Sequence, residues 1–253
     1  MNLQGIAAIV TGGASGLGGA TAAALAAGGA RVAVIDLNTR AAEAMAARIG
    51  GLALTCDVSD ADAAAAAFAA ARGAHGPARL LVNCAGIGGA GRIVGRDGPL
   101  ALGAFERVIR VNLIGTFNML RLAAAEMSVL EPLEDGERGV IVNTASVAAY
   151  DGQVGQAAYA SSKAGVVGLT LPAARELARF GVRVMTIAPG LFLTPMMESL
   201  PPDIQASLGA SVPYPPRLGT PEEYAALALH IVANRMLNGE TIRLDGALRM
   251  APR

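Results

Sequence analysis

Tyr159 and Lys163 stand four residues apart in a stretch whose pattern is helical, so their side chains share one face. An ammonium beside a phenol favours the phenolate and lowers its pKa from about 10, which fits the tyrosine for acid–base work nearer neutral pH. Such a pair alone is a common surface feature. Ser146 adds to it. It lies thirteen positions before Tyr159, just past an apolar run at Val140–Asn143, where its hydroxyl can hydrogen-bond a substrate oxygen while the phenol exchanges its proton. Asn112, in the preceding long helical stretch, is placed to hold a water linked to Lys163. Read alone, it is a helix-interior Asn bonded to nearby backbone.

A second group of residues suits a dinucleotide. Thr11-Gly12-Gly13-Ala14-Ser15-Gly16-Leu17-Gly18 follows the first apolar run and opens the first helical stretch. Glycines there allow a tight turn and close approach to a pyrophosphate, and the helix start offers unpaired N–H groups to it. Asp36, at the end of the next run, is 18 residues beyond Gly18 and suits the adenosine ribose hydroxyls. It also repels a 2′-phosphate, by about 4 kcal/mol for two unit charges about 4 Å apart at an effective dielectric near 20. Arg40 is four positions on and is expected to point away, so the sequence predicts NAD over NADP. Asp57-Val58 and Asn83-Cys84-Ala85-Gly86 end the third and fourth runs. Each alone is compatible with turn chemistry; with the glycine loop they outline an adenine pocket.

The elements that must hold these residues alternate. Strands are predicted at Ile6–Val10, Arg31–Asp36, Leu52–Cys56, Leu80–Asn83, Val140–Asn143, Val182–Ile187 and Thr241–Leu244. Helices are predicted at Gly16–Ala27, Arg40–Ile49, Asp60–Arg72, Phe105–Met127, Ala157–Phe180 and Pro221–Val232. This is the pattern of βαβ units: an α/β fold, a doubly wound Rossmann-type parallel sheet of about seven strands with helices on both faces. Gly86–Leu100 reads as a loop, and Glu131–Arg138 as an exposed acidic turn. The proline-rich 191–218 segment reads as short helices forming a substrate lid over the site. Pro172 should kink or perturb its helix. The expectation is one domain over residues 1–253.

Composition narrows the classes. Twenty Lys+Arg balance twenty Asp+Glu, leaving no basic footprint for nucleic acid or an anionic membrane. Hydrophobic residues reach 53%, but Gly, Arg and Asp interrupt the Ala-rich runs before any approaches the roughly 18 residues of a spanning helix. Met1–Gly5 leaves no room for a signal sequence before the first strand, and two cysteines, Cys56 and Cys84, make no disulfide framework. Both are expected as reduced core thiols in a cytoplasmic protein. His75 and His230 have no partner ligands at metal spacing, so no metal is expected. Met196, Met197, Met236 and Met250 read as core or interface filling.

Together, Thr11–Gly18, Asn83–Gly86, Asn112, Ser146, Tyr159-Ala160-Ser161-Ser162-Lys163 and Pro189-Gly190 resemble the short-chain dehydrogenase/reductase superfamily, in order and over essentially the whole chain. The resemblance implies Tyr159 as acid/base, Ser146 orienting the carbonyl, and Lys163 binding the nicotinamide ribose and tuning the tyrosine. It makes Asn112 the fourth catalytic member and Thr194 a contact of the carboxamide. The segment Asn143–Gln156, with Gly190-Leu191-Phe192, Ser199-Leu200-Pro201, Arg217-Leu218-Gly219 and Leu237–Ala247, is similar to the type 2 3-hydroxyacyl-CoA dehydrogenases. Animal members of that group act in mitochondria on short and branched 3-hydroxyacyl-CoA and oxidise steroids. The likeness implies interconversion of (3S)-3-hydroxyacyl-CoA and 3-oxoacyl-CoA, with Gln153 in the pocket and a homotetramer built on Phe105–Met127 and Ala157–Phe180. It weakens over Gly88–Gly103, which leaves acyl length and branching open. The alternatives are a 3-oxoacyl-carrier-protein reductase, a steroid or secondary-alcohol dehydrogenase and, from another class, a non-catalytic NAD-binding regulator.

Overall fold

The structure is a computed structural model that describes residues 1–198 and 200–252. Ser199 of the quoted likeness lies outside them. The chain begins β1 (Ala7–Thr11), α1 (Gly16–Ala27), β2 (Arg31–Asp36), α2 (Thr39–Ile49), β3 (Leu52–Thr55), α3 (Ala61–His75) and β4 (Leu80–Asn83). A small hairpin, β5 (Val94–Gly95) and β6 (Gly98–Pro99), precedes α4 (Leu102–Ile109). A π-helical segment (Arg110–Gly115) joins α4 to α5 (Thr116–Ser128). Then follow β7 (Gly139–Thr144), α6 (Ala157–Leu177), β8 (Val182–Pro189), α7 (Pro195–Glu198), α8 (Pro202–Ala210), α9 (Pro221–Ala233) and β9 (Thr241–Leu244).

Seven strands form one parallel sheet in the order β3-β2-β1-β4-β7-β8-β9. Alternate strand residues serve opposite faces, as the pleat requires. Ile9, Ile35, Leu81, Ile141 and Val184 face one cluster with Phe68 of α3, Met119 and Met127 of α5 and Ala173 of α6. Val10, Val34, Val82, Val142 and Ile187 face the other, with Leu25 of α1, Met45 of α2 and Tyr224 and Ile231 of α9. Both faces are covered, which is why the strands read as unbroken apolar runs. The chain leaves β1 toward β2 and β3 and then returns to the other side of β1 at β4. The β1/β4 crevice is therefore the switch point where open sheets of this kind receive ligands.

Several expectations are refined by the structure. The predicted 105–127 helix is not uniform: its ladder widens at Arg110–Gly115, around Asn112. The Gly86–Leu100 loop contains the β5–β6 hairpin. Glu137 of the acidic turn is buried, ion-paired with Arg183 at 2.9 Å, while Glu134 and Asp135 are exposed and paired with Arg235. The joined helix Leu102–Ser128 is long enough to cross a membrane and holds an apolar window of 18 residues with a mean hydropathy of 1.2. Half of that window is buried inside the protein, as in a core helix. Helix α6 runs on through Pro172. Cys56 is buried, and burial pushes its thiol up to about 11. Among the described residues no three of His, Cys, Asp and Glu gather as metal ligands.

Candidate active site

The glycine loop is shaped by contacts that no side chain tolerates. Gly12 has φ +59°, and a Cβ there would lie 2.7 Å from the Ala85 backbone nitrogen. A Cβ on Gly18 would fall on the Gly12 carbonyl. Gly16, φ +51°, lies under Thr194 and Pro195, 3.3–3.7 Å from its Cβ position. The start of α1 is open: Ser15 is the N-cap, is exposed and makes no side-chain cap bond. Its free N–H groups and positive helix end make a cradle for a pyrophosphate. Leu17 packs against the apolar cluster below. Asp36 accepts from the Ala14 N–H at 3.2 Å and the Asn38 N–H at 3.0 Å, so its carboxylate sits at the loop's edge. Pro189 and Gly190 end β8 on the other flank, where a Cβ on Gly190 would meet Asp245 Cα at 2.9 Å.

Asn83, Asp57 and Val58 also make structural contacts of their own. Asn83 is buried; it accepts from Thr11 Oγ1 at 3.4 Å and donates to Asn143 Oδ1 at 3.0 Å, tying three strands together. Exposed Asp57 accepts from the N–H and hydroxyl of Ser59, and Val58 is buried beside Gly115. Ala85 and Gly86 stay at the crevice. A Cβ on Gly86 would lie 3.2 Å from Asn112 Oδ1 and 3.5 Å from Lys163 Nζ, so glycine lets these two groups approach.

Asn112 is also bonded to the turn after β4. Its amide accepts from the Ile87 N–H at 2.8 Å and donates to the Ile87 carbonyl at 2.9 Å and to Ser162 Oγ at 3.0 Å. Its backbone carbonyl accepts from Thr116 Oγ1 at 2.7 Å. The π segment thus makes Asn112 a clamp on the turn after β4.

Ser146, Tyr159 and Lys163 converge at the carboxyl end of β7. Ser146 is buried and accepts from the Ala148 N–H at 3.2 Å, which fixes its side chain. Lys163 is buried, with Nζ 5.8 Å from the Tyr159 ring centre, and donates to the Thr144 carbonyl at 2.9 Å. Here the sequence reading is corrected. Burial raises the Tyr159 phenol above its ordinary value, against the pull of its hydrogen bond to Ser146. Burial also lowers Lys163 to about 8, opposed by Cys84. Loss of water is the largest cause of both shifts, so the ligand-free phenol is protonated at neutral pH.

Gln153 donates to the Ala251 carbonyl at 2.9 Å and lines a cavity of about 540 Å³ between Gly91–Val94 and Gly152–Ala157, next to Ala160. Ser146 and Tyr159 do not line that cavity. Sequence reasoning missed Ile87, Ser162, Thr144, Cys84 and Tyr224, all joined to the site by hydrogen bonds across long separations. Only the pattern Thr220-Pro221-Glu222-Glu223, a helix start with its capping box, marked Tyr224's surroundings.

Comparison with known proteins agrees with this geometry. The short chain dehydrogenase family model matches residues 6–205. Human (Homo sapiens) 3-hydroxyacyl-CoA dehydrogenase type-2 is 51% identical over 255 residues, covering 99% of this chain and 98% of that one. The crystal structure of 3-hydroxyacyl-CoA dehydrogenase type-2 from Mycobacterium avium superposes with a TM-score of 0.93 at 46% identity, covering 98% of both chains. That of 3-ketoacyl-(acyl-carrier-protein) reductase from Brucella melitensis complexed with NADH gives 0.86 at 29% identity, covering 98% of this chain and 100% of that one.

Proposed function

The chain belongs to the short-chain dehydrogenase family, and from that we propose that it is an NAD-dependent oxidoreductase interconverting 3-hydroxyacyl-CoA and 3-oxoacyl-CoA. The observation that carries the reading is the convergence of Ser146, Tyr159 and Lys163 beside the glycine cradle at the β1/β4 crevice. The open α1 start, the side-chain-free Gly12–Gly18 contact and the Asp36 carboxylate fit the pyrophosphate and ribose of NAD. NAD supplies the hydride acceptor for oxidation and, when reduced, the hydride donor for reduction. The chain supplies the rest. Ser146 donates a hydrogen bond to the substrate oxygen. In reduction, Tyr159 gives its phenolic proton to that oxygen, and in oxidation its phenolate takes the hydroxyl proton back. Lys163 steadies the phenolate with its charge while ionised, and Thr194 closes over Gly16.

The likeness to the type 2 dehydrogenases at 46–51% identity, against 29% for the carrier-protein reductase, favours coenzyme A over a carrier protein. Since that reductase is complexed with NADH, cofactor preference alone does not separate the two readings; the acyl carrier does. The test is initial-rate kinetics with acetoacetyl-CoA and NADH, beside NADPH and a carrier-protein thioester. Preference for acetoacetyl-CoA with NADH is expected, and a preference for the carrier-protein substrate or NADPH would overturn the assignment. Tyr159→Phe should keep NAD binding and lose at least about 10²-fold in kcat. Near-normal turnover would remove Tyr159 from the mechanism. We further propose the 3S hydroxyl as the form oxidised, a homotetramer as the working state, 191–218 as a lid, and the cytoplasm as the compartment. The free thiols Cys56 and Cys84 support that compartment.

A further inference from the structure

Lys163 is the only lysine in the chain; every other basic side chain among the twenty is arginine. Among the described residues its one protein acceptor is the Thr144 carbonyl, at 2.9 Å. Thr144 is the last residue of β7, and the hydroxyls of Thr144 and Tyr224 are hydrogen-bonded at 2.6 Å. Tyr224 lies near the start of α9, with no surface exposed, its ring inside the apolar cluster under β1, β4 and β7. A phenol so buried needs a partner for its hydroxyl, and it finds one on the residue that holds the lysine. On the other side, the Ala145 N–H donates to the Ile187 carbonyl at 2.8 Å and fixes the peptide that follows Thr144 to β8.

We propose that Tyr224 is a positioning residue for Lys163: by pinning the Thr144 hydroxyl it holds the Thr144 carbonyl where the ammonium needs it. The proposal rests on reading Lys163 as part of the oxidoreductase site. The groups around the lysine are neutral polar ones from four elements. They are the Cys84 thiol past the end of β4, the Tyr159 phenol on its own helix, Asn112 of the π segment across Gly86, and Tyr224 of α9 behind Thr144. Cys84 lies 3.5 Å from the Thr144 hydroxyl and 3.7 Å from that of Tyr224, completing the polar group. No carboxylate acts on Lys163 among the described residues. With no carboxylate counter-ion, the oriented carbonyl dipole joins Cys84 in favouring the charged amine. Freeing Thr144 therefore lowers the lysine's proton affinity and misplaces the cation beside Tyr159.

A single lysine makes this directly measurable. Full-chain protein grown with ¹³C-lysine gives one Cε resonance, and its pH titration, without cofactor or substrate, reports Lys163 alone. The wild type is expected to titrate at about 8. Tyr224→Phe and Thr144→Val should each move the midpoint to lower pH, and the double variant no further than either, because both cut one chain of contacts. Thr144→Ser, which keeps the hydroxyl, should stay at the wild-type midpoint. Reductase kcat should fall about three- to tenfold in Tyr224→Phe and Thr144→Val, the size of one oriented hydrogen bond. An unmoved lysine midpoint in the two hydroxyl-less variants, or a Thr144→Ser variant as shifted as Thr144→Val, would overturn the proposal. If Tyr224→Phe does not fold, the Thr144 pair decides. A wild type without turnover on any hydroxyl or ketone defeats the oxidoreductase reading, while the titration still decides this one.

Discussion

Replacing Lys163 by methionine would separate two demands on one position. The amine is buried, and its pKa falls from 10.5 to about 8. The unfolded chain therefore holds the proton more tightly, and folding bears a cost wherever the buried amine is charged. That cost is full below pH about 8 and fades as pH rises toward the unfolded value. Its upper size is about 3 kcal/mol, of which the lost bond to Thr144 returns about 1. Lys163→Met should thus raise Tm by several degrees near pH 7, and the gain should shrink toward pH 10. Calorimetry at both values checks it, and a lower Tm at neutrality would show that the ammonium is a net support. Arginine serves every other basic position, but it stays charged at any working pH and its planar fork cannot stand in for a compact amine.

Elements transmit that requirement through backbone contacts, and the glycine loop gives the cleanest comparison. Gly18 and Gly19 are neighbours in α1, but an added methyl on Gly18 meets the Gly12 carbonyl, whereas on Gly19 it meets Met45 Cε, the movable end of a side chain. Gly18→Ala should cost about 1–3 kcal/mol of stability and, by shifting the cradle, at least about tenfold in NAD affinity. Gly19→Ala should be close to neutral, since helix propensity returns up to about 1 kcal/mol. Calorimetric titration with NAD on both variants tests the pair, and equal affinities would mean the cradle yields without cost. This contrast also marks what the sequence could reveal. The seven sheet strands were legible, with ends that differ from the predictions by at most two residues, because the five inner ones are buried on both faces and the two edge strands are still largely covered. The Gly-loop and the Ser146–Tyr159–Lys163 spacing were legible because each is local. The π segment, the Asn112 clamp on Ile87 and the Tyr224–Thr144 bond were not, because each depends on register between elements 25 or 80 residues apart or on a ladder change with no composition of its own. The Glu137–Arg183 pair hid inside a run of acidic residues for the same reason: only folding puts its partner, 46 residues away, beside it.

At the scale of the whole molecule, the covering helices are not equally finished. The α4–α5 helix and α6 cover the same face of the sheet, and their outer surfaces keep Ile114, Phe117 and Leu171 49%, 48% and 43% exposed. Large apolar side chains on facing helices of one layer are the kind of surface that a second copy covers. Ile114 sits two residues from Asn112 in the π segment, and Leu171 lies two turns beyond Lys163 on α6. A partner seated there would therefore brace both helices that carry the chemistry. Phe117→Asp should lower the mass measured by light scattering. It should also lower specific activity, and more so on dilution, because the freed helices lose the support of their neighbour. Unchanged mass at micromolar concentration would place the subunit contact elsewhere. Lower mass with full activity would show that each chain keeps its catalytic helices in place unaided.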